Sequence, residues 1–451
     1  MKCRVINSKI IFMEKRFDGS YHNADANVYD AVITKHSSHT LSYYCSEIFT
    51  SGRNRRTYTA PEFGYPFLSN SDASALEPFA TCKYSSRKYA FDEKAVLKGG
   101  MILTGRVGAI GQTVFVPNHW EQRKAQGSDN IIRIVVKPGF KNGFIYAYLA
   151  SKIGNTSFWK HATGGVQPFI TDAMVGGLPI PELSSEKQDE IDRLMQDSLR
   201  LREEATYTLE EAISIIEDTI GQSTFELIHQ CATISSKSIT SKFTRFDAQY
   251  QIGNQLLSKE KYGLTTIKIS SVATKILVGN RGKREYVDKK GVPFLSSSDM
   301  MLANPLRQAK QIRKNSNNIE NMLVSTGDIL ISRSGTVGNT ILVGETLNRV
   351  AVSEHAMKLT IDSNKIAPEY VFAYFKTKQG RNSLQVLPYG SVIITLGEEF
   401  LGNVDLPLIQ DDKMAEVVTL VKQYISKNDQ AIFLENQAIS MVEQEIESWN
   451  N

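Results

Sequence analysis

The sequence has few cysteines, and none of them is spaced for cross-linking or metal binding. Cys3, Cys45, Cys82 and Cys231 form no Cys-x-x-Cys pair and no Cys/His spacing of a zinc site. This excludes a disulfide-bonded secreted framework and a zinc module, and it is typical of a protein from a reducing compartment. We therefore expect a cytoplasmic protein.

Long apolar runs are also missing. The N-terminal residues lack the apolar segment of a secretory signal peptide, and no stretch approaches the roughly 20 apolar residues that a membrane span needs. We expect no membrane partner. With 41% hydrophobic and 22% charged residues over 451 positions, the composition excludes a disordered or fibrous chain and predicts two or more domains.

Motifs of known catalytic and nucleotide-binding sites are absent as well. The chain has no phosphate-binding loop G-x-x-x-x-G-K-[ST], no H-E-x-x-H and no G-x-S-x-G. Gly105, Gly108 and Gly111 form a series between two strand-like segments, which indicates a tight hairpin rather than a dinucleotide site. His119 and His355 are isolated, which indicates structural roles. We predict no catalytic residue, no metal site and no cofactor on this chain.

What the sequence does contain is a long internal repeat. Equivalent segments lie 226 to 229 residues apart from one end of the chain to the other. The matched pairs include 16–21 with 245–250, 66–72 with 293–299, 100–111 with 327–338 and 212–214 with 438–440. Because the register is kept throughout, the chain consists of two copies of one unit, each a globular part followed by a tail.

Each tail has the periodicity of a long helix. Between Ser184 and Gln222 no proline occurs and apolar residues recur every three or four positions, and the same pattern extends from Gln410 to Trp449. A narrow apolar stripe on helices on the order of 60 Å long predicts an antiparallel helix pair, with Asn428 placed to fix its register. The alternative is two separate amphipathic helices, each lying on its own domain.

The globular parts combine strand-like and helix-like segments. Short apolar runs bounded by Gly, Pro and Asn predict strands, at 101–103, 114–116, 131–136, 329–331, 341–343 and 357–361. Helices are predicted around 144–151 and 369–378. The predicted fold is therefore α+β: two similar mixed α/β domains, related by a pseudo-two-fold repeat and joined by two long antiparallel, coiled-coil-like helices. The predicted boundaries are 1–182 for the first domain, 183–222 for the first helix, 223–240 for a linker, 241–408 for the second domain and 409–451 for the second helix.

The net charge of +4 conceals an uneven distribution. The segments 184–222 and 410–451 carry −7 and −5, which leaves +16 for the rest of the chain. Basic clusters recur beside tyrosines at equivalent positions of the two copies, as in proteins that bind a polyanion. For any single cluster a solvated basic face is the alternative. The residues are Arg53, Arg55, Arg56 and Tyr58 in the first copy and Arg281, Lys283, Arg284 and Tyr286 in the second.

These segments together resemble a known family. Gly327–Gly338 reads Gly-Asp-Ile-Leu-Ile-Ser-Arg-Ser-Gly-Thr-Val-Gly. With the repeated Pro-Phe-Leu segments and the long helices that follow Leu-Pro, it is similar to the specificity subunit of type I restriction–modification systems. The first copy departs from this pattern, with Met101 for Asp328 and 105–107 (Gly-Arg-Val) for 332–334 (Ser-Arg-Ser). The resemblance implies that each domain is a target recognition domain that reads one half of a bipartite double-stranded DNA site.

The resemblance also implies the partners. The helices would act as a ruler between the half-sites and as the docking surface for two adenine methyltransferase (modification) subunits, which carry the S-adenosylmethionine chemistry. Cleavage would require restriction (motor) subunits. The alternative is a non-catalytic scaffold that binds RNA or an acidic protein through its basic domains, and an enzyme of unrecognised type would need activity from the purified chain alone.

Residue roles in DNA binding follow from this interpretation. Arg106 and Arg333, inside the glycine segments, either reach a phosphate or brace their turn. Phosphate contacts are expected from Arg55, Arg56, Lys283 and Arg284. Base contacts are expected from polar loop residues, namely Asn70, Ser71, Gln167, Ser298 and Ser391.

Overall fold

The computed structural model divides the chain into two compact units. Unit 1 comprises Met1–Glu203 and Gln430–Asn451, and unit 2 comprises Glu204–Asp429. The predicted domain boundaries stay a prediction, and most of the predicted linker 223–240 lies outside the described residues. The structure describes residues 5–22, 24–53, 56–221, 233, 235–236, 245–259, 263–279, 281–282, 284–315, 319–334, 337–390 and 394–449.

The described part of unit 1 contains two four-stranded sheets. Its strands are β1 (Cys45–Thr50), β2 (Tyr58–Thr59), β3 (Gly64–Leu68), β4 (Lys83–Ser86), β5 (Ile102–Gly105), β6 (Thr113–Phe115), β7 (Gln126–Gly127) and β8 (Ile131–Val136). The first sheet has the order β1-β8-β5-β6 and is antiparallel throughout. The second has the order β2-β4-β3-β7, in which β3 and β7 run parallel.

Unit 2 repeats both four-stranded sheets in the same order and adds a two-stranded sheet. Its strands are β9 (Thr266–Lys268), β10 (Ala273–Val278), β11 (Tyr286–Val287), β12 (Val292–Leu295), β13 (Lys310–Ile312), β14 (Ile329–Ser332), β15 (Thr340–Leu342), β16 (Ala351–Val352), β17 (Ala356–Ile361) and β18 (Asp405–Pro407). The two larger sheets have the orders β10-β17-β14-β15 and β11-β13-β12-β16, and β18 pairs with β9. Matching orders confirm the repeat and the predicted strands, because equivalent apolar runs bury equivalent faces.

Helices surround the sheets of both units. In the first half of the chain they are α1 (Ser8–Glu14), α2 (Gly19–His22), α3 (Ala26–His36), α4 (Leu41–Tyr44), α5 (Asn70–Ser74), α6 (Asn118–Gln122), α7 (Asn142–Ala150), α8 (Lys152–His161), α9 (Asp172–Gly176) and α10 (Ser185–Ile220). In the second half they are α11 (Ala248–Lys259), α12 (Ile269–Val272), α13 (Ile319–Met322), α14 (Pro368–Lys376), α15 (Lys378–Gln385), α16 (Glu398–Gly402) and α17 (Asp411–Ser448).

The long helices α10 and α17 pack on each other as an antiparallel pair. In unit 1 the hydroxyl of Ser198 donates to the carbonyl of Ala431 at 2.8 Å. In unit 2 the ammonium of Lys413 donates to the hydroxyl of Thr219 at 3.1 Å. In unit 1 Lys187 also pairs with Glu445, and in unit 2 Lys427 Nζ lies 3.2 Å from Glu204 Oε2. Within each unit the α17 residue number falls as the α10 residue number rises, which confirms the predicted antiparallel pairing. The amide of Asn428, predicted to fix the register, donates to the carbonyl at 424 in its own helix at 3.0 Å.

Helix α7 links the first sheet of unit 1 to the long helices. All of its residues from Gly143 onward are buried, and the rings of Phe115 and Tyr146 stack with centroids 5.2 Å apart. The same apolar cluster includes Ile191 of α10 and Val442 of α17. Burying one such aliphatic side chain stabilises the fold by about 1.5 to 3 kcal/mol, so this cluster holds the helix segments against the sheet.

A tight turn after α7, and after α14 in unit 2, directs the next helix toward the candidate site. The hydroxyls of Ser151 and Thr377 each accept a hydrogen bond from a glycine N–H three residues later, at 3.0 Å. A Cβ on Gly154 would lie 2.2 Å from a backbone carbonyl oxygen, and one on Gly380 would lie 1.9 Å from the equivalent oxygen. Only glycine fits there, so both units enter α8 and α15 in the same way.

Candidate nucleic-acid interface

Two of the predicted arginines of unit 1 share one carboxylate. Arg53 and Arg56 lie between β1 and β2, and both pair with Asp129. The Nε of Arg53 is 3.1 Å from Asp129 Oδ2, and the Nη2 of Arg56 donates to Oδ1. The side chains of Arg53 and Arg56 are 83% and 45% exposed, whereas Asp129 is buried. Arg55, predicted in the same cluster, lies outside the described residues.

Unit 2 repeats this pairing with a longer acidic side chain. Arg284 Nη2 donates to Glu354 Oε2, and Arg281 Nε lies 4.0 Å from Oε1; the arginine side chains are 22% and 80% exposed respectively. Burial acts to raise the pKa of Glu354, but hydrogen bonds from its own backbone N–H and from Arg284 outweigh burial and lower that pKa. The carboxyl is therefore ionised at neutral pH. Lys283 lies outside the described residues.

Asp129 and Glu354 lie on equivalent backbone turns of their respective units. The residue before each is a serine: the N–H of Ser128 donates to the carbonyl of Leu68 in β3, and the N–H of Ser353 donates to Leu295 in β12, both at 2.9 Å. Each serine hydroxyl also accepts from the N–H two residues later, at 3.4 Å. The turn is thus tied to the second sheet of its unit, and the acidic side chain is held in a fixed place.

Aromatic rings lie against the same arginines. The guanidinium carbon of Arg56 is 5.3 Å from the ring centroid of Phe67, whose ring meets Tyr58 edge to face at 5.9 Å. The ammonium of Lys83 is 4.7 Å from the ring centroid of Tyr58. These are cation–π distances. The equivalent contacts of unit 2 join Arg284 to Phe294 (4.7 Å), Phe294 to Tyr286 (6.4 Å) and Tyr286 to Lys310 (5.4 Å).

The glycine loop of each unit lies beside its arginine pair. The N–H of Arg106 donates to the carbonyl of Asn130, and the N–H of Arg333 donates to the carbonyl of His355, both at 2.8 Å. Asn130 and His355 are the residues that directly follow the two carboxylates. The repeat therefore places the same loop against the same cluster in both units.

Positive φ angles shape these loops. Gly108 and Gly111 have φ of 78° and 74°, and Gly338 has φ of 91°, in the left-handed region that glycine adopts without strain. This confirms the predicted tight hairpins. The guanidinium Nε of Arg333 donates to the carbonyl at 396 at 2.9 Å, so this side chain braces the loop. The hydrogen bonds of Arg106 within the described residues involve its backbone.

In unit 1 a second loop follows α8 and pairs with the glycine loop. Thr163 and Phe169 exchange backbone hydrogen bonds of 2.9 and 2.7 Å, which closes a hairpin whose tip exposes Gln167. Phe169 also forms a β-bridge with Val107 of the glycine loop. In unit 2, Tyr389 pairs with Thr395, which bridges to Ser334. Ser391, predicted to read bases from this loop, lies outside the described residues.

The remaining predicted base readers follow β3 and β12. The amide of Asn70 donates to the carbonyl of Val107 at 3.3 Å, which places this side chain against the glycine loop of unit 1. Ser71 and Ser298 are exposed, and the hydroxyl of each lies 2.9 Å from that of the serine two residues earlier. Unit 1 thus gathers Arg53, Arg56, Asn70, Arg106 and Gln167 around one surface, and unit 2 gathers Arg281, Arg284 and Arg333.

One repeated arginine clamp was missed as a functional element, although its sequence marked the repeat. Arg16 forms two hydrogen bonds with Asp18, of 2.7 and 2.9 Å, and donates to the carbonyls at 161–162. This hydrogen bonding holds the pKa of the Asp18 carboxyl well below its ordinary value. Arg245 donates likewise to Asp247 and to the carbonyls at 387–388. Each clamp fixes the base of the second loop.

Other titratable groups take part in packing. Burial raises the pKa of the Cys45 and Cys82 thiols to about 12, which keeps them protonated at neutral pH. Burial lowers the pKa of His119 to about 4. Among the described residues no group of three or more His, Cys, Asp or Glu side chains is placed to hold a metal ion. In that part of the chain no helix is both long and apolar enough to cross a membrane.

A family comparison identifies the second copy. Residues 262–430 match the family model of the type I restriction modification DNA specificity domain. The first copy repeats its sheet order, its carboxylate-paired arginines and its glycine loop. The second copy therefore matches the DNA specificity domain of type I restriction–modification systems. This match supports the predicted family resemblance and DNA recognition by the second copy. The match does not support the alternative of an RNA-binding or protein-binding scaffold.

Solved structures of specificity subunits are similar over most of their length. The S subunit of a type I restriction–modification system from M. genitalium is 13% identical, with 91% of this chain and 92% of that chain covered and a TM-score of 0.30. The HsdS subunit from Thermoanaerobacter tengcongensis is 15% identical, with coverages of 90% and 95% and a TM-score of 0.29. No curated protein matches the sequence. The family resemblance of the chain therefore rests on the domain match of the second copy and on the internal repeat.

Proposed function

We propose that this specificity subunit reads a bipartite duplex DNA site, one half-site with each unit, and positions two adenine methyltransferase subunits on it. The observation that carries the proposal is the duplication of the surface. In both units, two arginines share a carboxylate, lie against an aromatic ring and adjoin a glycine loop. Two copies of one binding surface in one chain are expected to meet two segments of duplex.

Phosphate contacts come from the most exposed cations of these surfaces. The side chains of Arg53 and Arg281 project from the segments that precede β2 and β11. The charge outside the two long helical segments is +16, which favours approach to a polyanion. Such contacts position the duplex without reading its sequence. Arg55 and Lys283, in the same segments, are proposed to contribute in the same way.

Base contacts come from the loops, and the two half-sites differ. Where unit 1 has Asn70, unit 2 has Ser297, and where one glycine loop reads Gly-Arg-Val at 105–107, the other reads Ser-Arg-Ser at 332–334. Hydrogen-bonding groups that differ at equivalent places select different base edges in the major groove. The proposed base readers are Asn70, Ser71, Gln167, Ser298 and Ser391.

The paired helices serve the protein partners. The segments 184–222 and 410–451 are acidic, at −7 and −5, so they repel DNA and suit a protein surface. We propose that they dock the two methyltransferase subunits and set the spacer between the half-sites. S-adenosylmethionine would bind to those subunits and not to this chain, and restriction subunits would join where the complex cleaves. Because genomic DNA is the proposed substrate, we propose that this activity takes place in the cytoplasm.

The test is a selection from a random duplex library with the full chain, alone and assembled with its methyltransferase subunits. The proposal predicts enrichment of two short unlike sequences at a constant separation, and retention of binding in excess RNA. Enrichment of one continuous sequence would contradict the bipartite assignment. Complete loss of duplex binding to RNA competitor would instead support the scaffold that binds RNA.

A further inference from the structure

We infer that Arg56 and Arg284 read guanine, one in each half-site, and that Asp129 and Glu354 are positioning residues that hold these guanidinium groups in the reading orientation. This inference rests on the proposed bipartite recognition and deepens it. It divides each arginine pair into a phosphate contact, Arg53 or Arg281, and a base reader. It therefore replaces the phosphate role that the sequence pattern alone suggests for Arg56 and Arg284.

The two arginines of each pair are held differently. Arg53 and Arg281 each approach one carboxylate oxygen through Nε, at 3.1 and 4.0 Å, and about four-fifths of each side chain is exposed. Arg56 and Arg284 are less exposed, and each is fixed on two sides. One side is the carboxylate that Nη2 contacts, and the other is a phenylalanine ring 5.3 or 4.7 Å from the guanidinium carbon. A phosphate can be met by a mobile cation, whereas a base edge requires a fixed one.

The presence of a carboxylate in both copies indicates that the arginines must be oriented, and that positive charge alone is not what the surface requires. A surface that needed only positive charge would gain affinity by losing an acidic residue, because each neutralised phosphate adds to binding. Both copies nevertheless keep one, as Asp129 or as Glu354. Its backbone position is identical, on the turn that begins at Ser128 or Ser353, although the side chains differ in length. What the copies share is the hydrogen bond to Nη2 of the less exposed arginine.

Guanine is the base that suits a guanidinium held in this way. Its major-groove edge presents two acceptors, O6 and N7, which accept parallel hydrogen bonds from one arginine. The carboxylate uses one N–H of Nη2, and each Nη carries two hydrogens, so the second N–H of Nη2 and an N–H of Nη1 would supply the two donors. In unit 1 the glycine loop that adjoins the carboxylate turn also accepts a hydrogen bond from Asn70, so a neighbouring base pair would lie against a residue already proposed as a reader.

The experiment repeats the duplex selection with single variants of the full chain. With Arg56→Lys, we expect one G·C preference to fall about tenfold in one half-site only, because a lysine lacks the two-pronged donor. With Arg284→Lys, we expect the same loss in the other half-site. Asp129→Asn and Glu354→Gln keep side-chain shape, and each should relax the same position as its arginine variant.

Controls separate this inference from a structural role and from the proposed function. Arg53→Lys should leave every base preference intact, and Asp197→Asn on α10 removes one negative charge outside the cluster. Thermal unfolding checks that each variant folds, and the carboxylate variants give an independent reading where a lysine variant does not fold. If all sequences weaken equally, the base-reading role is wrong. If the wild-type chain enriches no two-part site, the proposed function fails first.

Discussion

Glu435 of α17, which is buried, forms an ion pair with Arg202 of α10, which is 17% exposed, with Arg202 Nη2 2.6 Å from Glu435 Oε2. The phenol of Tyr146 donates to the other carboxylate oxygen at 2.7 Å. All three residues belong to unit 1. The repeat does not conserve this network. The unit 2 positions equivalent to Arg202, Glu435 and Tyr146 carry Asn428, Leu209 and Phe372, respectively. The network of Arg202, Glu435 and Tyr146 is therefore specific to unit 1.

Removing one member of this network should destabilise unit 1. Arg202→Met leaves a buried carboxylate without its cation, at a cost of about 3 to 5 kcal/mol, which corresponds to a fall of roughly 10 °C in unfolding temperature. The matched control transplants the unit 2 residues as Arg202→Asn, Glu435→Leu and Tyr146→Phe, and should unfold near the wild-type temperature. Calorimetry measures both. An unaffected Arg202→Met variant would show that the pair contributes nothing.

The salt dependence of DNA binding should report the exposed arginines. Replacing Arg53 and Arg281 with glutamine should make the fall of log K with log salt less steep. The magnitude of the slope should decrease by about 2, since each lost phosphate contact contributes about 0.9. Fluorescence anisotropy with a random-sequence duplex at several salt concentrations measures the slope. Arg200→Gln, an exposed arginine on α10, is the control. A slope that stays at the wild-type value in the double variant rules out phosphate contacts by these two residues.

Acid should destabilise unit 1 through His119. Burial lowers its pKa to about 4 from 6.5, with Arg123 acting in the same direction, so the unfolded chain binds more protons between these values. Stability therefore falls as pH drops from 6.5 towards 4, by up to about 3 kcal/mol. His119→Asn should reduce this loss, seen as unfolding temperatures across that pH range. His355→Asn, whose histidine is 43% exposed, is the control. Equal pH profiles of wild type and His119→Asn would contradict the assignment.

Much of this architecture follows from the sequence, because periodicity and repetition are local signals. The predicted strands, long helices and glycine hairpins lie where the patterns indicate, and the described arginines of each cluster share one carboxylate. The partners of Arg56 and Arg284 could not be predicted, since they lie about 70 residues away and a changed loop length shifts them out of the repeat register. The pairing of Arg202 with Glu435 spans 233 residues and has no counterpart in the other copy.

The helix pair should set the DNA spacer. Inserting one helix-forming heptad after Glu203 and another after Asp429 lengthens each helix by about 10 Å. A heptad is close to two full turns, so the residues after the insertion keep nearly the same helix face. We expect the preferred spacer to grow by about three base pairs at 3.4 Å per pair. Insertion into one helix alone breaks the pairing and serves as the control. If the double insertion variant prefers a spacer of unchanged length, the helix pair does not set the spacer.

The most direct test of two-part recognition is a map of methylated adenines in cells that express this chain with its methyltransferase subunits. The account predicts one motif made of two unlike halves at a constant spacing, with a methylated adenine in each half and none when the chain is omitted. A continuous motif, or the same methylation without this chain, would contradict it.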